Sequence, residues 1–252
     1  MKVGYAVLYE DGELVISKNH TVLKRKIIKD YGKFEDTNVS WKNESNKIKK
    51  VKILDQVKSN CMNGWFIDCL NLTTLINFKN LDVSDCKDFS RMFESCKSLQ
   101  NLNGLQTWNV SNGIDFANMF AYCNSLQNLN GLQNWNVSNC INFSFMFHNC
   151  QSLQAINELL NWNVSNGIYF SSMFAACESL QDLNGLRNWN MSNCVDFSGM
   201  FYHCNALEEI LLSNTLDILT KDMFYQCNPN LKIHWNEHTY TYADLLEYEK
   251  IY

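Results

Sequence analysis

The sequence predicts an α/β solenoid of 27-residue turns, stacked into an arc and closed at its N-terminal end by a small β-containing cap. Three observations carry that prediction: a Met-Phe pair recurs at fixed spacing, a cysteine keeps constant phase with it, and the apolar spacing switches from helix-like to strand-like within each unit. The pair stands at Met92-Phe93, Met119-Phe120, Met146-Phe147, Met173-Phe174 and Met200-Phe201, each 27 residues after the last, with Trp65-Phe66 one period earlier and Met223-Phe224 a shortened 23 later. Three residues past each Phe sits Cys69, Cys96, Cys123, Cys150, Cys177, Cys204 or Cys227. A second slot holds Cys86, Cys140 and Cys194, alternating with Gly113 and Gly167, so neighbouring turns form a two-turn super-repeat.

Within one turn, Phe116, Met119, Phe120 and Cys123 follow i, i+3, i+4, i+7, the stripe of a short helix with one buried face. The preceding Ser-Asn offers it a cap. Leu126, Leu129 and Leu132 point inward from an extended stretch, and Trp135 and Val137 alternate around Asn136 as in a short strand. A unit this short cannot bury its own apolar face, so stacked turns complete the core. Strands stack at about 4.8 Å and helices at about 8–10 Å, which predicts an arc with strands inside and helices outside. The flanks read as lids. Val3 to Tyr9 and Glu13 to Ser17 form a hairpin about Asp11-Gly12, a mixed segment runs to Lys58, and strand-like alternation from Leu231 to Tyr242 precedes a helix over 243–252. The chain thus divides into a cap unit over 1–58, a solenoid over 59–230 and a second cap over 231–252.

The Leu-x-x-Leu spacing, with Ser-Asn-x-x-x-Phe-x-x-Met-Phe-x-x-Cys-x-Ser-Leu, resembles the BspA-like leucine-rich repeats of bacterial and mycoplasmal surface proteins, a group often filed as a domain of unknown function. The match spans roughly residues 60 to 230 and implies a leucine-rich-repeat-like fold and a role in adhesion. Trp-Asn-Val-Ser here replaces the Phe-Asp-Thr-Ser-like segment usual in that family.

Residues 1–58 carry thirteen Lys/Arg against eight Asp/Glu, whereas the rest carry eight against eighteen, a balance of −10. Direct nucleic-acid binding is therefore not expected of the array, since phosphate contacts need a cationic surface. No run reaches the roughly 18 apolar residues of a membrane span, and the N-terminus lacks a secretory core. The expectation is a cytoplasmic protein, with a cell-surface location as the alternative.

The chemistry-bearing residues point away from catalysis. Seven cysteines in one phase read as a packing column of free thiols: Cys-x2-Cys pairs for zinc are missing, and turns stacked at helix spacing exceed the roughly 7 Å reach of a disulfide. His148 and His203 vary from turn to turn while the cysteines near them are buried, and His234-Trp-Asn-Glu-His238 is not a zinc-protease motif. Trp108, Trp135, Trp162 and Trp189 read as core, with their N–H groups available to a neighbouring turn. Asn109, Asn136, Asn163 and Asn190 read as an internal hydrogen-bond ladder. No enzyme activity, metal or cofactor is expected.

Function then belongs where the repeat varies. Tyr122, His148, Tyr169, Tyr202, His203 and Tyr225 form a candidate contact strip on the helix side, with Phe145 nearby, and tyrosine is enriched at protein interfaces. Two other surfaces compete: the inner row Gln100, Gln127, Gln154 and Gln181, and a basic patch of Lys47, Lys49, Lys50 and Lys52 suited to an acidic partner. The sequence is read as a non-enzymatic protein-binding module, an intracellular interaction protein or inhibitor, for instance of a nucleic-acid enzyme or host-defence component. The alternatives are an exported adhesin binding host protein or glycan, self-association through an exposed edge, and an enzyme with a site in the N-terminal unit.

Overall fold

A computed structural model describes residues 2–211, 221–235 and 238–244. The helix expected over 243–252 lies almost entirely outside them. At the N-terminal end, β1 (Lys2–Tyr9) and β2 (Glu13–Ser17) form the hairpin, turning at Gly12, whose φ of +82° and close approach to the Lys47 carbonyl leave no room for a side chain. β3 (Ile27–Glu35) pairs with β1 as the edge strand. β4 (Lys50–Ile53) pairs parallel with β2, and β6 (Thr74–Ile76) with β4, giving the order β3-β1-β2-β4-β6. Between these, β5 (Val57–Lys58) pairs with β7 (Leu81–Asp82). At the other end β8 (Glu209–Leu211), β9 (Lys232–Trp235) and β10 (His238–Thr241) make a three-stranded sheet.

The repeats between are joined by parallel bridges: Cys61 to Asp88, Asp88 to Asp115, Asp115 to Asn142, Asn142 to Tyr169 and Tyr169 to Asp196. The expected helix over Phe116–Cys123 is not there. Alternate amides, those of Phe116, Asn118, Phe120 and Tyr122, donate to Asn142, Ser144, Met146 and His148 carbonyls of the next turn at 2.7–3.0 Å. The amides between, of Met119, Ala121 and Cys123, close overlapping turns onto Phe116, Asn118 and Phe120 at 3.1–3.2 Å. Asn118 and Tyr122 sit at φ of +57° and +61°, which no right-handed helix contains. Phe116, Met119, Phe120 and Cys123 are all buried nonetheless. The i, i+3, i+4, i+7 spacing therefore records which side chains face inward, not a helix. The arc loses its stated cause with it, because this side is also hydrogen-bonded from turn to turn and stacks at strand spacing, about 4.8 Å.

Identical side chains lie over one another in the core. Phe93, Phe120, Phe147 and Phe174 stack at 5.6–5.7 Å. Trp108, Trp135, Trp162 and Trp189 stack at 6.3–6.4 Å, and each Nε1–H donates at 2.9–3.0 Å to a carbonyl of the preceding turn, those of Phe78, Leu105, Leu132 and Leu159. In the column three residues past the Met-Phe pairs, the thiols of Cys96, Cys123, Cys150, Cys177, Cys204 and Cys227 each donate to a Phe carbonyl one turn back, as Cys150 does to Phe120 at 3.3 Å. The spacing argument against disulfides fails here, since strand spacing brings neighbouring cysteines within reach of one another; the thiols are instead committed to carbonyls.

The asparagines divide their work. Asn109, Asn136, Asn163 and Asn190 accept from the amide two residues on, so they hold their own turn rather than a ladder. The inter-turn ladder comes from Asn112, Asn139, Asn166 and Asn193, whose side-chain amides donate to Ser84, Ser111, Ser138 and Ser165 carbonyls at 2.7–2.8 Å.

The Cys/Gly alternation also has a physical cause. Cys86, Cys140 and Cys194 thiols reach the carbonyl two residues ahead at 3.2–3.5 Å. At Gly113 and Gly167 that space is filled by the ring three residues on; an added Cβ would lie 2.6 Å from Phe116 and 2.4 Å from Phe170. Rings pair accordingly, Phe89 with Phe116 at 4.9 Å and Phe143 with Phe170 at 5.1 Å, against 6.3 Å between Phe116 and Phe143.

Candidate functional site

Each unit holds two left-handed residues four apart: Arg91 and Ser95, Asn118 and Tyr122, Phe145 and Asn149, Ser172 and Ala176, and then Gly199 and His203. Glycine and asparagine accept this conformation at little cost. For Tyr122 and Phe145 it costs about 1–2 kcal/mol each. The inter-turn ladder over-determines the backbone and holds them there, with Tyr122 and Phe145 each 37% exposed.

These residues gather into two aromatic groups on one face. In the first, Tyr122 and Phe145 meet the His148 ring edge-on at 5.1 and 5.5 Å. In the second, Tyr202 stacks on Tyr225 at 5.8 Å, lies 6.0 Å from His203, and donates its hydroxyl to Gln226 at 2.8 Å. The turn between them carries Ala175 and Ala176, so small side chains separate the groups. Nδ1 of both His148 and His203 is buried and has no hydrogen-bond partner. Burial holds the His148 imidazole below its ordinary range, because the charged ring would be poorly solvated there.

Tyr169 does not join them. It sits on the bridged column between Asn142 and Asp196, 44% exposed. Beside it runs a row that the sequence reading missed: Ile114, Ile141, Ile168 and Val195, with Val195 71% exposed. An apolar residue in every turn looks like core until the backbone alternation is known. The basic patch is assembled in part on β4, where Val51 and Ile53 face inward, Lys50 is exposed and Lys52 half-buried, with Lys47 and Lys49 just before them. The Gln row is a looser ladder, Gln127 to Gln100, Gln154 to Gln127 and Gln181 to Gln154 at 3.0–3.4 Å.

Among the described residues no three of His, Cys, Asp or Glu converge as metal ligands. Burial drives the thiols up, that of Cys177 to about 12 and those of Cys96, Cys150 and Cys204 well above their ordinary value, so they stand neutral and unreactive. His234 links Glu209 at 2.6 Å and Thr239 at 2.8 Å, in the order carboxylate, imidazole, hydroxyl. Glu209 and Thr239 are both exposed, and water competes for every bond of this cross-strand network. No helix among the described residues is long and apolar enough to cross a membrane.

Comparison with known proteins gives a family. The model of the family described as "Mycoplasma protein of unknown function, DUF285" matches residues 33–154 and 126–235. No protein with a curated description matches the chain. Among solved structures, a leucine-rich repeat protein from Bacteroides ovatus is 12% identical over 93% of this chain and 87% of its own, with a TM-score of 0.23. One from Eubacterium ventriosum is 12% identical over 94% and 97%, also at 0.23, and a leucine-rich cell surface protein from Faecalibacterium prausnitzii is 12% identical over 96% of both chains at 0.20. Superposition this loose fixes no architecture, which rests on the ladders described above.

Proposed function

The chain belongs to the DUF285 family, and we propose that it is a non-enzymatic protein-binding module whose contact surface is the pair of aromatic groups around His148 and Tyr202. The carrying observation is the division of labour along each turn. Recurring residues are consumed by the core or by inter-turn hydrogen bonds, whereas Tyr122, Phe145 and His203 keep rings at left-handed positions that non-aromatic residues fill in the other turns. Rigid aromatics on a fixed backbone lose little entropy on docking and are the usual anchors of an interface. Tyr169 falls outside this surface. The neutral thiol column fits a reducing compartment and hence an intracellular partner.

The test is affinity capture with wild type beside Tyr122→Ala/Tyr202→Ala, followed by titration of the purified captured protein. Capture by wild type and loss by the variant supports the aromatic surface. Equal capture moves the site to Lys47, Lys49, Lys50 and Lys52 or to the Gln row, and capture of nothing by either removes the protein-binding reading.

A further inference from the structure

The row Ile114, Ile141, Ile168 and Val195 is an apolar stripe left at the surface by backbone register. Each amide donates to the carbonyl one turn back at 2.8–2.9 Å, beginning with Ile114 to Lys87, so the side chains are carried at a fixed step along the stack. A shallow groove of about 420 Å³ runs along it, walled by Asn139, Asn166 and Asn193 and floored by Ile141 and Ile168. One N–H of each Asn side chain is spent on the ladder, so this wall is polar, uncharged and held in place. The bridged column next to the row carries a half-buried carboxylate at each end, Asp115 following Ile114 and Asp196 following Val195. Each of these carboxylates accepts donors of its own turn and one side chain of a neighbouring turn, Asn142 for Asp115 and Ser171 for Asp196, and has oxygen lone pairs left over for a cation.

We propose that this stripe docks a basic amphipathic helix of the protein partner. The inference rests on the protein-binding reading and adds the partner's chemistry. Dimensions select the helix. Rows step by about 4.8 Å; a helix presents apolar residues at i, i+3, i+7 and i+10 about every 5.0 Å on average, drifting only about 0.6 Å by the fourth row. An extended strand presents same-face residues every 6.6–6.8 Å or so and is about 6 Å out of step by the fourth row. Charge selects the sign. Asp115 and Asp196 lie three rows apart, roughly 14 Å, which matches Lys or Arg at i and i+10 along one flank of the helix.

The probe is a fluorescein-labelled peptide of about 14 residues with leucines at that spacing and lysines on both flanks, followed by anisotropy and circular dichroism. It should saturate the protein and gain helicity on binding. A Glu-for-Lys version and a version with a central proline should each bind at least about tenfold more weakly, as should the basic peptide with Ile141→Ser/Ile168→Ser protein. Asp115→Asn/Asp196→Asn keeps both turn-closing side chains and should weaken binding while flattening its salt dependence. Tyr122→Ala/Tyr202→Ala should bind the peptide as wild type does. Failure to saturate, equal binding of the acidic or proline peptide, or full binding by the Ile double variant overturns the proposal. So does a dimer in light scattering that the Ile variant converts to monomer, which assigns the stripe to a second copy. None of these outcomes touches partner capture through the aromatic groups, so the two readings fail separately.

Discussion

Gly167→Ala isolates the packing that makes neighbouring turns alternate. Gly167 does not occupy a left-handed conformation, so alanine suits its backbone and by itself stabilises by about 0.4–1 kcal/mol through the unfolded chain. Against this, the new Cβ would lie 2.4 Å from Phe170 Cζ, 2.6 Å from Cε2 and 3.0 Å from the Val164 carbonyl oxygen. The Phe170 ring is fully buried, between Phe143 at 5.1 Å and Trp189 at 5.9 Å, and has nowhere to retreat. Overpacking of this kind costs about 1–3 kcal/mol, leaving a net loss of about 1–2 kcal/mol. For a chain of this length that lowers the melting temperature by roughly 2–8 °C. Phe170→Leu removes the ring edge, so the alanine penalty measured in that background should shrink toward zero. A melting temperature for Gly167→Ala at or above wild type, or an undiminished alanine penalty in the Phe170→Leu background, refutes the explanation.

Four further outcomes follow from the same geometry. Cys150→Ala should cost about 1–2 kcal/mol by thermal melting, a packing loss only, because the Phe120 carbonyl keeps its bond from the Cys123 amide. Folding favours the neutral thiols, so their contribution is intact below about pH 8.5–9 and falls as pH rises toward the folded-state values, by about 1.4 kcal/mol per pH unit for each fully buried thiol; melting should collapse between about pH 9 and 11 while staying flat from pH 7 to 8. Phe145→Asn relieves a left-handed phenylalanine and should melt within about 0.5 kcal/mol of wild type or above it, yet weaken partner binding in titration. Far-ultraviolet circular dichroism should lack the double minimum of α-helix, since the described repeats contain only single 3-10 turns such as Asn157–Leu159 and Asn184–Leu186.

Much of the fold was legible because burial repeats faithfully. The Met-Phe, Leu and Trp columns and Cys69 to Cys227 of the main thiol column are buried, with only Cys194 and Phe197 of the neighbouring columns half-buried, and the indole N–H groups do serve a neighbouring turn. The helix was misread because apolar spacing reports direction, and overlapping turns with two left-handed residues bury the same set that a helix does. A local signal existed: Gly64, Asn118 and Gly199 share one phase, and Asp68 and Asn149 share the other, all types that accept positive φ. The grouping of the candidate residues was legible only in part. Tyr122, His148, Tyr202, His203 and Tyr225 share a face, but Tyr169 and the isoleucine row were separated from it and from the core by strand alternation, which a helix reading hides.

The most direct test of the central claim is hydroxyl-radical footprinting of the protein alone and bound to its captured partner, read side chain by side chain. Protection should concentrate at Tyr122, Phe145, Tyr202 and Tyr225, with Lys47, Lys49, Lys50 and Lys52 unchanged in reactivity. Unchanged labelling of all four aromatics in a saturated complex would contradict the account and place recognition elsewhere on the solenoid.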